Sequence, residues 1–323
     1  MPGAGLAAVA QSATRRKPAP DLSLLVCPLC RGSLRLDSEE LVCGACATRY
    51  GIQAGIANLQ VAAGFDDEDH DERWACEECT GQHMIEHYMV PLLQRLFPGR
   101  EPASLKLLSI GCGVGVDVED LNAHGYRCHG IDVGNRAKVW GRRSAPSDYT
   151  RAAVQRMPFR DAEFDFAFLN CVLPHVGVVG DSQTVAADYQ TQRALSVQET
   201  IRVVRPGGHI LLSNPNRLCP FDLFHRNNEK THWPRLHGLG EPFLQSFGDH
   251  RRNFVQDGGC RTAHLLPPGR FWGFSSNSKS SRYAVGRLLQ ASIRGYLALL
   301  SQRWMTPLRS SPLNPWLVVL VDR

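Results

Sequence analysis

Leu107-Leu108-Ser109-Ile110-Gly111-Cys112-Gly113-Val114-Gly115 decides the fold. An apolar run enters a Gly-x-Gly-x-Gly turn. The segment from about Asp117 to His124 reads as a helix, and Gly130-Ile131-Asp132-Val133 as a second short strand ending in an acid. Strand, glycine turn, helix and strand make a β-α-β unit. Glycines there let the backbone approach a bound nucleotide or amino-acid group, which a Cβ would block. Asp132, at the tip of the second strand, can accept both hydroxyls of a ribose.

Several ligands compete for such a turn. A dinucleotide site wants Gly-x-Gly-x-x-Gly, and the third position here is Val116. A phosphate-cradling Gly-Lys-Ser/Thr is absent. S-Adenosylmethionine carries no phosphate and tolerates Gly-x-Gly-x-Gly. A glycine-rich turn in an ordinary α/β domain needs no ligand at all. The turn alone does not choose among these, and the segments around it must.

The chain has 323 residues, enough for a sizeable core and for one large domain plus a small one. Its net charge of +5 permits nucleic-acid contact without arguing for it. No uninterrupted apolar run is long enough to cross a bilayer. Residues 1–20 place small apolar residues first and Arg15-Arg16-Lys17 after them, the reverse of a secretory signal, and read as a disordered tail. The 11 cysteines are odd in number and partly arranged as CxxC. That usage fits a reducing cytoplasm and metal ligation better than disulfides.

Residues 21–62 are expected to form a compact unit of their own. Cys27-Pro28-Leu29-Cys30 and Cys43-Gly44-Ala45-Cys46 bracket the alternating stretch Ser33 to Asp37 and the strand Leu41-Val42. Two CxxC knuckles at this separation can point four thiolates at one Zn²⁺, leaving no open position for catalysis. So small a segment has little core, and the metal would supply the missing folding free energy. The acidic run Asp66 to Glu72 reads as a solvated linker, extended over 63–81. Cys76 and Cys79 repeat the CxxC spacing without a second pair. From Gln82 to Phe97 the apolar residues keep a helical period, with Pro91 expected to kink or restart the helix. His83 and His87 lack a third ligand.

Beyond the β-α-β unit a helix is expected over about 136–143. Phe164 to Leu169 reads as a strand buried in a parallel sheet, with Asn170 at its carboxyl end, where open α/β sheets place ligands. A helix over about 186–203 carries Glu199. Arg205-Pro206-Gly207-Gly208 then turns the chain into the strand His209 to Ser213.

Leu25-Val26-Cys27-Pro28-x-Cys30, the alternating strand, Cys43-x-x-Cys46, Tyr50-x-Ile52 and Gly55-Ile56-x-x-Leu59 together resemble the Trm112-like zinc ribbon. In that family the ribbon serves methyltransferases, as a separate activating subunit or fused in front. The larger part is similar to the class I S-adenosylmethionine-dependent methyltransferases, in the branch called type 11. The resemblance runs from about Leu105 to Asn216. It is carried by Ile110-Gly111-Cys112-Gly113-x-Gly115, Gly130-Ile131-Asp132, Met157-Pro158-Phe159-x-Asp161-x-x-Phe164-Asp165, Asn170-x-x-Leu173-x-His175-Val176 and Glu199-x-x-Arg202-Val203-x-Arg205-Pro206-Gly207-Gly208.

The resemblance implies a Rossmann-like, doubly wound, mostly parallel seven-stranded sheet over 82–323, preceded by the small β-rich ribbon. Pro315 to Val321 would be its final edge-region strand. It implies that Gly111, Cys112, Gly113 and Gly115 line the methionine end of S-adenosylmethionine. Asp132 would hold the ribose, Val133 would pack on the adenine, Gln155 and Met157 would border that ring, and Asn170 would lie near the sulfonium. The family's Asp for the adenine amino group is Ala153 here, and its Glu before the histidine is Pro174. Gly177 to Thr191 reads as an insertion contributing to a lid. His175 is the candidate general base, with His225, His232 and His237 weaker candidates.

Residues 217–303 read as a substrate-side insertion of aromatic, His-rich character, and Tyr283 to Trp304 as a helix packed on the core. The first functional expectation is a cytoplasmic methyltransferase acting on a small organic acceptor, at oxygen, in biosynthesis. The second is a ribosomal-RNA guanine methyltransferase gripping RNA through the ribbon. It is not favoured, because the ribbon's basic residues are chiefly Arg31, Arg35 and Arg49. The third is a non-catalytic binding protein that kept the fold.

Overall fold

The computed structural model describes residues 20–61, 71–180, 182–225, 235–272 and 284–323. The proposed tail, the acidic run from Asp66 to His70, His232 and Trp233 lie outside them. The amino-terminal unit is an antiparallel meander of β1 (Leu34–Asp37), β2 (Glu40–Cys43), β3 (Arg49–Gln53) and β4 (Ile56–Asn58). Next come α1 (Asp71–Met84) and α2 (Val90–Leu96). In chain order there follow β5 (Lys106–Ile110), α3 (Val116–Ala123), β6 (Arg127–Asp132), β7 (Tyr149–Arg151) and β8 (Phe164–Asn170). Then come α4 (Tyr189–Val203), β9 (Val204–Pro215), the small pair β10 (Phe221–Asp222) and β11 (Arg235–Leu236), and α5 (Phe247–His250). The chain ends with β12 (Thr262–Leu265), α6 (Ala284–Leu300) and β13 (Trp316–Asp322).

Seven strands form the central layer in the order β7-β6-β5-β8-β9-β13-β12. The first five are mutually parallel, and β13 runs antiparallel between β9 and β12. The final strand therefore sits one place inside the edge. The side chains of β5 and β8 alternate between two cores. Leu108, Ile110, Ala167 and Leu169 face one, shared with Val197 and Val203 of α4. Leu107, Phe166 and Phe168 face the other, shared with Met84, Ile85, Leu92 and Leu121 of the helices on the far side. Both faces are covered, which is why these strands read as unbroken apolar runs.

The ribbon's strands continue into the larger sheet. β4 pairs in parallel with β7, matching Ala57 to Thr150 and Asn58 to Arg151, so eleven strands make one sheet. Leu25 bridges Phe159, and the Val26 N–H donates to the Pro158 carbonyl at 2.9 Å. Leu25, Leu41, Tyr50 and Leu59 share a core with Ile131, Met157 and Phe159. The physical reason is size: a ribbon this small covers its apolar residues only against the larger sheet.

Two local expectations change and one holds. The stretch drawn as linker to residue 81 is already helical from Asp71. Pro91 stands in the first turn of α2, directly after a wider π turn over Ile85–Met89, so the helix restarts there as expected. The helix expected near 136–143 is a run of 3₁₀ turns over Asn135–Arg142. Of α6, Leu297 and Leu300 are buried with Met305, while Leu288 is exposed.

Two imidazoles are buried in this framework. His129 of β6 hydrogen-bonds Thr150 Oγ1 at 2.9 Å, and His250 bonds Asn214 Oδ1 at 2.7 Å through Nε2. Burial pushes both down to about 4. The unfolded chain protonates these rings near 6.5, so it binds more protons than the folded chain between about pH 6.5 and 4. Stability therefore falls as pH drops through that window, by roughly 3 kcal/mol per ring when complete. Asp117, raised to about 6 by burial, works the other way and offsets one of the two. Thermal unfolding should shift to lower temperature from pH 7 to pH 4.5, with a shallower fall in His129→Gln. Identical slopes for the two proteins would contradict this assignment.

Candidate functional site

Cys27, Cys30, Cys43 and Cys46 converge, with all four Sγ atoms within 4.8 Å of one another. Cys27 and Cys46 are 3.7 Å apart, and Cys30 and Cys43 are 3.4 Å apart. Four sulfurs at ~2.3 Å from one tetrahedral Zn²⁺ would be separated by ~3.8 Å, so the donor set fits structural zinc. The turns are tight. The Gly32 backbone lies where a Cβ would stand 2.8 Å from Ala45 Cβ and 3.0 Å from Cys43 Sγ.

The glycine turn leaves β5 at its carboxyl end. Gly111 has φ +70°, and a Cβ there would meet Val172 Cγ2 at 2.4 Å. The turn is held from below by one carboxylate. Asp132 Oδ2 accepts from Gly113 N–H at 2.8 Å, and Oδ1 accepts from the N–H groups of Val133 and Gly134 at 2.7 and 2.8 Å. Oδ2 keeps acceptor capacity, and the side chain is half-buried at the strand tip. The turn's carbonyls are tied as well. Trp140 Nε1 donates to Gly113 at 2.8 Å, Arg143 Nε to Val114 at 3.0 Å, and Tyr149 Oη to Gly115 at 2.7 Å. Trp140 supplies that bond from the 3₁₀ run. A preformed backbone with one acceptor at its rim suits a nucleoside ribose, and half-exposed Val133 beside it offers an apolar edge to a flat ring.

The residues assigned to the adenine side occupy the segment that the ribbon touches. Gln155 is half-buried and donates to Gln192 Oε1 at 3.3 Å. Met157 is 1% exposed, and its N–H donates to Glu199 at 2.8 Å. Cys112 and Gly115 are also buried. At Gly115 a Cβ would stand 2.4 Å from the Tyr149 ring, which is a packing reason for glycine. Asn170 is half-buried at the end of β8. Its Oδ1 accepts from Ser213 Oγ at 2.6 Å and its Nδ2 donates to Met84 Sδ at 3.7 Å.

His175 follows in a 3₁₀ turn, and His225 comes to it from fifty residues downstream. Their Nε2 atoms are 3.2 Å apart, and His225 Nδ1 bonds Asp222 Oδ2 at 2.8 Å. Burial, then repulsion by His225, pushes His175 down to about 3, so it is neutral at neutral pH. His225 goes the other way. Against the effect of burial, the sulfur of Cys171 and the Asp222 carboxylate raise it to about 10. His237 lies apart, hydrogen-bonded to the neighbouring Gly238 carbonyl.

Two supports hold this site: Arg193, which sequence reasoning missed, and Glu199 with Arg202, which it placed in a motif without a role. Arg193 is 6% exposed and donates to the carbonyls of Pro174, Val176, Pro242 and Phe243 at 2.9, 3.2, 2.7 and 3.0 Å. It fixes both flanks of His175 and the ring of Phe243, which meets His175 and His225 edge-on at 5.2 and 5.0 Å. The only signal was a charge on the buried stripe of α4. The second support is the Glu199–Arg202 pair. Glu199 takes the Met157 N–H and Arg202 Nε, while Arg202 donates to the carbonyls of Met157 and Phe159. Arg31 of the ribbon reaches the same Glu199 at 3.4 Å.

Residues 108–212 match the family model described as a methyltransferase domain, and residues 22–55 match that of the Trm112p-like proteins. No curated protein matches the chain. Among solved structures, the chain is similar to one from a complex of the Haloferax volcanii Trm112 methyltransferase activator. Identity there is 14%, with 78% of this chain and 96% of that one covered and a TM-score of 0.43. It is also similar to S-adenosylmethionine-dependent methyltransferases from Mesorhizobium loti and Aquifex aeolicus. The first is 16% identical, covering 74% and 100% of the two chains at TM-score 0.42. The second is 13% identical, covering 61% and 93% at TM-score 0.40.

Asp132→Ala removes the carboxylate expected to accept the ribose and frees three amides of the turn. Charged hydrogen bonds are worth ~1.5–3 kcal/mol each, so affinity for S-adenosylmethionine measured by calorimetry should fall at least ~10-fold. Unchanged affinity would refute the role given to Asp132.

Proposed function

We propose that this S-adenosylmethionine-dependent methyltransferase, built with a Trm112-like zinc ribbon, methylates a hydroxyl oxygen of a small organic acceptor. The observation that carries the reading is the row Asp222–His225–His175, one turn beyond Asn170 at the carboxyl end of β8. Bound S-adenosylmethionine supplies a methyl group already activated by its sulfonium, so displacement needs chiefly alignment of the acceptor. A hydroxyl acceptor must also lose its proton, and a half-buried imidazole row at the acceptor end is where that loss would occur. Arg193 and Phe243 would hold that row still. Asp132, Gly111, Gly113 and Val133 would hold the nucleoside, with Gln155 at the adenine and Asn170 near the reacting methyl.

The RNA reading draws less support. Of the ribbon arginines, Arg31 pairs with Glu199 and Asp161, and Arg49 with Glu40 and Asp37, leaving their charge partly neutralised for phosphate. One edge of the ribbon pairs with its own catalytic domain, so the fused ribbon would stand in for a separate activating subunit. No described helix is long and apolar enough to cross a membrane. A chain that holds four thiolates ready for zinc is suited to a reducing cytoplasm.

With tritiated S-adenosylmethionine, label should pass to a small-molecule extract in preference to total RNA, and His175→Ala should lower kcat by ~10²–10⁴-fold with little change in cofactor affinity. Label recovered in RNA, or an undiminished kcat in the variant, would overturn this reading.

A further inference from the structure

Cys171 joins the histidine row. Its Sγ is 3.7 Å from His225 Nε2, and the ligand atoms of Cys171, His175 and His225 all lie within 4.8 Å of one another. The three residues come from separate places in the chain: the end of β8, the 3₁₀ turn after it, and the segment following β10. A tetrahedral Zn²⁺ at ~2.0–2.1 Å from nitrogen and ~2.3 Å from sulfur requires N···N near ~3.3 Å and N···S near ~3.6 Å. The observed 3.2 and 3.7 Å meet that requirement.

The surroundings are those of a built site. Metal-binding imidazoles usually donate their other ring N–H to a carboxylate, which fixes the tautomer and aims the free lone pair. Asp222 does this for His225. It is itself 1% exposed and pinned by the N–H groups of Phe224 and His225 and by Arg235. Cys171 has φ +57°, a left-handed conformation that a side-chain residue adopts at some cost, and its N–H is held by the Ser213 carbonyl at 2.7 Å. That conformation follows directly on Asn170, and the next residue, Val172, packs on Gly111.

We infer that Cys171, His175 and His225 form a second site for a zinc-type divalent cation, separate from the four cysteines of the ribbon. Nitrogen and thiolate donors select zinc over magnesium or calcium. Three protein ligands leave one position open, as in catalytic rather than structural zinc sites. The use of that position rests on the O-methylation reading: an acceptor hydroxyl occupying it would be acidified there and give its proton to water. His175 would then act as a ligand instead of taking the proton itself.

The test is metal content, which does not depend on methyl transfer. The full chain is loaded with Zn²⁺, dialysed, and assayed by plasma mass spectrometry. Two zinc ions per chain are expected in the wild type, and one in Cys171→Ser and in His225→Ala with thermal unfolding preserved. Should either variant fail to fold, Co²⁺ titration of the wild type decides alone: two equivalents should bind with two distinct sets of visible bands. One zinc per chain in wild type and variants alike, or a single cobalt equivalent, overturns the site. Two zinc ions in a protein that labels RNA would overturn the acceptor and keep the metal.

Discussion

The parallel pairing of β4 with β7 is the constraint on which the rest of the structure depends. An edge strand of three residues in an open sheet would expose its amides and carbonyls to water and hold its loops poorly. Here the ribbon covers that edge. Leu59 N–H donates to Arg151, Leu25 and Val26 pair with Phe159 and Pro158, and Gln60 Nε2 reaches the Val133 carbonyl at 3.2 Å. The segment between β7 and β8, and the residue after Asp132, are thus clamped from outside. Four thiolates too few in apolar neighbours to fold alone stand behind that clamp.

From this edge inward, the site is organised by groups that satisfy backbone and leave little freedom. Asp132 gathers three amides, Trp140 and Tyr149 hold the carbonyls that the glycines expose, and Arg193 gathers four carbonyls around the histidines. Such groups reduce the reorganisation needed when a ligand arrives. The aromatic character of the carboxyl-terminal half divides between two tasks. Phe271 and Trp316 are buried core, and Phe243 backs the histidine row.

Much of this was legible in the chain. Period and glycine placement identify β5, α3 and β6, the unbroken apolar run identifies β8, and paired CxxC knuckles identify the ribbon. These signals are local, or repeat at fixed spacing. The merging of ribbon and catalytic sheet was not legible, because β4 and β7 offer three residues each and nothing in Ile56-Ala57-Asn58 names its partner. The meeting of Cys171, His175 and His225 was hidden for the same reason. Fifty residues separate the last from the first two, and His225 looked no different from His237. Arg193 was silent because a charge on a helix ordinarily faces water.

The most direct measurement of the central claim, that ribbon and catalytic domain are one cooperative body joined at β4 and β7, is amide hydrogen exchange with and without a zinc chelator. Removal of the metal should release residues 25–59 and 149–159 together, while β9 and β13 stay protected. Release of the ribbon alone, with 149–159 as protected as before, would contradict the account.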